Sequence, residues 1–268
     1  MREIFLKISW QSRWDLVSLF LLSFLMDIFQ SLLLGITQGI TEFLPISSSG
    51  HLNLLQHFFG LTPSLSLDIF LNTATLFSVL FFFKKQIKYF FNNLKYIIIA
   101  SIPAALVGIF LKDQVQIVFA NTKLLPYFFL ITSTLLISTK FIKNKSNLKL
   151  NYKNYLLIGL MQAMAILPAV SRSGITITTA LLLGLAPLEA FNFSFCLFIV
   201  ASLGTIVLDY KNLFIAPNFS PVMLSSFFIT FIAGIIALYF LKKIVISKNL
   251  WMFGIYTLIL SVVLFFAL

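Results

Sequence analysis

Six apolar stretches run through the chain, at 65–83, 94–111, 124–142, 190–208, 221–241 and 249–267. Each has about the 17–25 residues that a helix needs to cross the hydrocarbon core of a bilayer. Two further apolar regions, 27–60 and 154–185, do not read as simple spans. Each is a pair of short apolar arms around a proline, Pro45 or Pro168, and a Ser/Gly cluster. Backbone that leaves the helix at membrane depth survives only where protein or a wet cavity satisfies it. The pattern therefore predicts an all-α polytopic membrane protein with about six full transmembrane helices and two re-entrant helical hairpins.

The two breaks are copies of one another. Ser47-Ser48-Ser49-Gly50 returns as Ser171-Arg172-Ser173-Gly174, and each copy lies nine residues after a glutamine, Gln38 or Gln162. Lysines orient the segments. Lys84, Lys85, Lys88 and Lys95 fall in one connection. Lys140, Lys143, Lys145, Lys149 and Lys153 fall in a second, and Lys242, Lys243 and Lys248 in a third. The connections 112–123 and 209–220 are poorer in lysine, so the three rich ones fall on one side, which the positive-inside rule makes cytoplasmic. The first hairpin then enters from outside and the second from inside. That is an inverted-topology repeat, roughly 27–142 and 154–268, within a single domain 26–268. Sites in such folds lie near the midplane, where broken helices meet. Residues 1–25 stand apart, as an N-terminal extension or an upstream start ahead of Met26. The apolar run from Leu16 to Ile36 carries no small-residue cleavage site of the kind a removed signal needs.

Composition narrows the class. The chain is 60% hydrophobic and 10% charged, with a mean hydropathy of +1.02, against about half apolar and a quarter charged in soluble domains. The net charge of +11 belongs to the lysine connections, so it does not indicate nucleic acid. One cysteine, Cys196, excludes a disulfide framework and any multi-cysteine metal site.

The polar residues at the breaks carry the candidate chemistry. Gln38 and Glu42 are four apart and share a helix face. Glu42 among Ile40, Phe43 and Leu44 needs a cation or donor opposite it, or it neutralises. Ser47, Ser48 and Ser49 exceed what one helix cap requires, and a helix start offers free N–H groups suited to phosphate. His51 lies within a helical turn of Ser47 and Ser48, as an acid/base would, whereas His57 lacks such company. Arg172 costs about 2.5–3.5 kcal/mol to insert, and its planar fork suits a phosphate. A structural ion pair with Glu42 or Asp68 is the other reading. Thr176 would donate to an anion or satisfy its own backbone. Asp68 would ligate a metal or pair with Arg172. Hydroxyls, arginine, carboxylates and histidine together suit phosphoryl transfer, which rests on positioning and charge neutralisation. A carboxylate beside phosphate makes sense with a bridging Mg²⁺ or Ca²⁺.

The stretch Gln38-Gly39-Ile40-Thr41-Glu42-Phe43-Leu44-Pro45-Ile46-Ser47-Ser48-Ser49-Gly50-His51-Leu52 resembles the first signature of the bacterial undecaprenyl-diphosphate phosphatase family, the bacitracin-resistance type. Pro168-Ala169-Val170-Ser171-Arg172-Ser173-Gly174-Ile175-Thr176 resembles its second, and Asn192-Phe193-Ser194-Phe195 and Leu67-Asp68 resemble weaker stretches. The resemblance covers nearly everything from Met26 to Leu268. It implies hydrolysis of undecaprenyl diphosphate to undecaprenyl phosphate and inorganic phosphate, recycling the carrier for peptidoglycan synthesis and conferring bacitracin resistance. It also implies the bacterial plasma membrane, with the site open to the outer side. By matching position, Glu42 would be the essential acid, binding metal or orienting the nucleophile. Ser48 would be nucleophile or phosphate ligand, His51 general acid/base, and Arg172 the diphosphate clamp. Gln38, Ser47, Ser49, Ser171, Ser173 and Thr176 would bind substrate. Departures are Gln38 where glutamate is frequent, Ala169 for glycine, and Asn72 and Ala74 for glutamine or histidine, and glycine.

Inverted repeats with broken helices are also a transporter architecture, so a lipid-carrier flippase using the same pocket is the competing expectation. A transporter needs only binding groups, whereas a hydrolase needs a nucleophile with an acid/base beside it, which the Ser48–His51 spacing supplies. Membrane lipids are expected neighbours, and a homodimer is left open. The copies differ usefully: Ile166 stands where Glu42 would be, and Arg172 where Ser48 would be.

Overall fold

The computed structural model describes residues 28–61, 65–142, 150–208 and 221–268. The N-terminal segment 1–25, the lysines 143, 145 and 149 and the connection 209–220 lie outside the described residues. Every regular element among the described residues is helical. In chain order the α-helices are α1 (Ile28–Thr41), α2 (Ser48–Phe58), α3 (Leu65–Phe83), α4 (Ile87–Asn92), α5 (Leu94–Phe110), α6 (Lys112–Ala120), α7 (Leu125–Ser138), α8 (Tyr152–Met164), α9 (Arg172–Leu182), α10 (Pro187–Leu208), α11 (Pro221–Ile246) and α12 (Trp251–Ala267).

Four stretches are long and apolar enough to cross a membrane: Leu67–Asn92, Thr122–Phe141, Pro187–Leu208 and Met223–Ile246. A fifth is counted if Leu94–Phe110 and Asp113–Phe119, bent by 78°, form one span. The protein is a polytopic membrane protein. The expectation of six full spans is the part that changes. α5 and α12 have 17 residues each, which at 1.5 Å per residue reach roughly 25 Å, short of a ~30 Å core. The bend after Leu111 also lies in a connection read simply as a loop.

Glycines set the closest helix contacts. A Cβ on Gly159 of α8 would come within 2.4 Å of the Ala100 carbonyl oxygen on α5. Likewise, Gly35 and Gly39 of α1 pack against α11. Their Cβ atoms would meet the Ser226 carbonyl at 2.8 Å and the Thr230 carbonyl at 2.6 Å. Small residues four apart let backbones approach where no hydrophobic force drives helices together in lipid. The pair α7 and α12 is similarly reciprocal: Ser133 donates to the Gly254 carbonyl at 2.8 Å, and Ser261 donates to the Pro126 carbonyl at 2.7 Å.

The outer faces stay apolar. On α5, Ile98, Ile102, Leu106 and Ile109 are exposed while Ile97, Ala100 and Pro103 are buried, as expected of a helix that meets lipid on one side and protein on the other. Inside, Phe43, Phe83, Phe191, Phe195 and Phe198 form an aromatic core around α10.

The lysine connections meet at one end. Lys95 lies over the rings of Tyr96 and Tyr152, Lys140 over Trp251 and Lys242 over Phe82. Tyr89 donates to the Glu189 carbonyl there at 3.5 Å, so α9 runs out and α10 starts at that end. α2 reaches the other end, where the Asn53 amide donates to the Phe119 carbonyl of α6 at 3.2 Å.

Candidate active site

Each break is built by the same local chemistry. α2 starts at Ser47, whose hydroxyl accepts from the Gly50 N–H at 3.5 Å and lies 3.2 Å from the Ser49 hydroxyl. α9 starts at Ser171, whose hydroxyl accepts from the Gly174 N–H at 3.2 Å and lies 3.3 Å from the Ser173 hydroxyl. Serine at the cap and glycine three residues on satisfy one of the four free N–H groups of each helix start. The parallel continues to the far ends, where Gly60 and Gly184 both take positive φ, 67° and 96°. Space is short at both starts: a Cβ on Gly50 would lie 2.5 Å from the Phe129 ring, and one on Gly174 would be tight at 3.2 Å from Pro45. Pro45 of one break thus touches the start of the other.

Between the serines sit the residues that differ. Arg172 Nη2 donates to Glu42 Oε1 at 3.2 Å, an ion pair between the two repeats. The Glu42 side chain is 6% exposed and that of Arg172 23%. Glu42 Oε2 accepts from Gln38 Nε2 at 3.1 Å and from the Ser48 hydroxyl. Glu42 is therefore held by a cation and two neutral donors. The Arg172 guanidinium stacks over Phe198 at 4.8 Å. Its Nη1 is buried and finds no hydrogen-bond partner among the described residues, and the same holds for Gln38 Oε1. A buried donor that lacks a partner costs about 1–3 kcal/mol, so Nη1 is primed for an oxyanion.

The structure thus gathers Gln38, Glu42, Ser48 and Arg172 into one constellation, with Ser47, Ser49, Ser171 and Ser173 framing it. Other expected members sit differently. His51 does not pair with Ser48. Its Nδ1 lies 2.7 Å from the Ser47 carbonyl and its Nε2 2.8 Å from the Tyr256 hydroxyl. A carbonyl only accepts, so Nδ1 carries the proton and donates to Ser47, while Nε2 is hydrogen-bonded to the Tyr256 hydroxyl. Of the two readings of Thr176, the structure realises backbone satisfaction: its hydroxyl donates to the Arg172 carbonyl at 2.8 Å and lies 2.6 Å from the Ser194 hydroxyl. Ser47 and Ser171 are caps first, with their hydroxyls committed to their own helices. Asp68 does not meet Arg172. It accepts from Gln56 Nε2 at 3.1 Å, because α3 rises beside α2 rather than beside α9. His57 is exposed at the end of α2.

A divalent cation was expected at Glu42 and Asp68. Among the described residues no three His, Cys, Asp or Glu side chains gather. Glu42 keeps little acceptor capacity, since three donors use most of a carboxylate's roughly four sites.

Two residues escaped the sequence reading. Thr132 of α7 donates to the Ala169 carbonyl at 2.9 Å and accepts from the Ser171 N–H at 3.1 Å, tying down the second break. Tyr256 of α12 reaches the first break through His51. Thr132 opens the run Thr132-Ser133-Thr134 and Tyr256 stands beside Thr257, so nothing in the sequence singles out either one.

The family model for the bacitracin resistance protein BacA matches residues 31–263. An undecaprenyl-diphosphatase of Thermosipho melanesiensis is 40% identical over 243 residues, covering 86% of this chain and 96% of the relative. One of Carboxydothermus hydrogenoformans is 38% identical over 257 residues, with 88% and 98% covered. A third, of Methanococcus maripaludis, is 36% identical over 245 residues, with 87% and 97% covered. The last is archaeal, so the expectation of a purely bacterial kinship is too narrow.

Proposed function

The chain belongs to the bacitracin resistance protein BacA family, and from that premise we propose that it is an undecaprenyl-diphosphatase. It cleaves undecaprenyl diphosphate to undecaprenyl phosphate and inorganic phosphate. One observation carries the chemistry: the Ser48 hydroxyl donates to a carboxylate of its own repeat, Glu42, whose other oxygen is held by Arg172 of the second. A nucleophile bonded to a base that a third group orients is the general signature of nucleophilic catalysis.

The steps follow from that geometry. The diphosphate draws Arg172 toward its oxygens, with Nη1 the first donor available. As Arg172 turns away, Glu42 Oε1 is freed while Oε2 keeps Ser48. Ser48 Oγ attacks the terminal phosphorus while its proton passes to Glu42 Oε2. The bond from phosphorus to the bridging oxygen breaks, and undecaprenyl phosphate leaves with the proton from Glu42. Water then attacks the phosphoserine, giving its proton to Glu42, which returns it to Ser48 Oγ as phosphate departs. Free N–H groups at the starts of α2 and α9 steady the anion.

A divalent cation, Mg²⁺ or Ca²⁺, fits as a companion of the substrate. Mg²⁺ is commonly held by one or two carboxylates and phosphate oxygens together. Glu42 Oε1 would be the protein ligand once Arg172 releases it, with Oε2 left to Ser48. The ion would neutralise phosphate charge.

We read the topology as an inverted repeat, about 27–142 and 154–268, in a single domain, with α1–α2 and α8–α9 as re-entrant hairpins. The clustered lysine connections support a cytoplasmic end there. α8 starts at that end beside Lys95, and α2 reaches the opposite end at Phe119. The site would face the outer side of the plasma membrane, with the lipid tail leaving between helices into the bilayer. Recycling of a cell-wall lipid carrier and bacitracin resistance follow from the reaction.

Purified protein in liposomes with undecaprenyl diphosphate and Mg²⁺ tests this. We expect phosphate release that Glu42→Ala and Arg172→Ala abolish. Translocation of the lipid without phosphate release would instead make the chain a flippase.

A further inference from the structure

We propose that Tyr256 is a positioning residue for the reaction above, acting through His51 on the backbone of Ser47. The inference rests on that reading of Ser48. It starts from an asymmetry between the two breaks. Ser47 sits at φ 71° and ψ 105°, a conformation that a non-glycine residue rarely adopts. Its counterpart Ser171 sits at φ −73° and ψ 115°, an ordinary extended conformation. The strain is therefore not a demand of the cap, because the second copy caps its helix without it. It falls on the residue next to Ser48, in the copy that carries Glu42.

Strained backbone persists only where its surroundings over-determine it. At Ser47 those surroundings are identifiable. The side chain is tied to the Gly50 N–H. The carbonyl is held by His51 Nδ1, and His51 is fixed from its other side by Tyr256 at 2.8 Å. The imidazole is nearly parallel to the Tyr256 ring, 12° apart with centroids at 5.8 Å, and lies at 88° to the Phe129 ring with centroids at 5.6 Å. Both ring nitrogens are thus committed, and neither is left for Ser48. The second copy has Ile175 where His51 stands, and its positive φ falls two residues before the cap instead, at Ala169 (58°), whose carbonyl Thr132 holds.

A strut from α12 to Ser47 keeps the first residue of α2 turned so that Ser48 Oγ meets Glu42. His51 then acts by holding geometry instead of moving a proton. α7 does the corresponding job for the second break through Thr132, so each break is braced by the last helix of the other repeat.

Tyr256→Phe keeps the ring stack and removes only the hydroxyl. We expect kcat to fall about tenfold, the worth of one net hydrogen bond, with KM unchanged. Amide exchange at Ser49 and Gly50 should rise, a readout that needs no turnover. Glycine accepts positive φ without strain and is a tolerable cap. In a Ser47→Gly background the Tyr256→Phe penalty should therefore shrink to less than about twofold. Unchanged kcat and exchange in Tyr256→Phe would overturn the strut. So would an equal penalty in the glycine background. If the wild type releases no phosphate, the reaction is wrong, while the exchange measurement still decides the strut.

Discussion

Replacing Arg172 separates two jobs that the structure assigns to one side chain. Nη2 pairs with Glu42 at 3.2 Å, and Nη1 is buried and free to take an oxyanion. Arg172→Ala removes both. Losing one charge-assisted hydrogen bond costs about 1.5–3 kcal/mol. A fully buried pair would cost about 3–5 kcal/mol to break, but Arg172 is 23% exposed, so the lower figure applies. Glu42 keeps Gln38 and Ser48, and the protein should still fold. Arg172→Lys restores a cation near Glu42 but supplies a point charge without a fork. Its stability should return to within about 1 kcal/mol of wild type, the scale of a partly exposed ion pair. Its rate should stay depressed by about 10²–10³, as when one preorganised donor to a developing anion is lost. Thermal unfolding in detergent reads the first quantity, and phosphate release from undecaprenyl diphosphate reads the second. A lysine variant with near-wild-type turnover would refute the bidentate clamp. An alanine variant with full turnover would refute any role for the residue.

Other outcomes follow from single contacts. Glu42→Gln keeps the shape of the carboxylate and removes the base, so kcat should fall by about 10²–10⁴; an active variant would move the base elsewhere. Gly159→Ala pushes a methyl to 2.4 Å from the Ala100 carbonyl and should destabilise by about 1–3 kcal/mol, whereas Gly108→Ala, with nothing within 4 Å, should be neutral in the same melt. Thr132→Val leaves the Ala169 carbonyl and the Ser171 N–H without partners, at about 1–3 kcal/mol each, and should lower both stability and turnover. EDTA should suppress phosphate release without shifting the melting temperature, because the cation is expected to come with the substrate; a large drop in melting temperature would point to a resident ion.

Much of this was legible in the chain. The repeat at 47–50 and 171–174 located both breaks, since serine caps and glycine are local requirements of a helix start. The apolar runs placed the long helices to within a few residues. Arg172 stood out because guanidinium in apolar sequence demands a partner, and Glu42 was one of the two candidates. What the sequence could not supply was depth and facing. α5 turns by 78° into α6 because the run length of apolar residues does not fix where a helix bends. His51 was assigned to Ser48 from helical spacing, yet its nitrogens turn to Ser47 and Tyr256, a residue 205 positions away. Thr176 was ambiguous for the same reason: a hydroxyl on a helix can always fall back on its own backbone, and Ser194 completes that choice.

Whether Ser48 bonds to phosphorus under the control of Glu42 decides the mechanism. A single turnover with undecaprenyl diphosphate, quenched in acid and digested for mass spectrometry, reads it directly. Phosphate should appear on the peptide that carries Ser48, before free phosphate in the wild type, and should be absent in Glu42→Gln. Free phosphate formed in one step from labelled water, with Ser48 never modified, would contradict it.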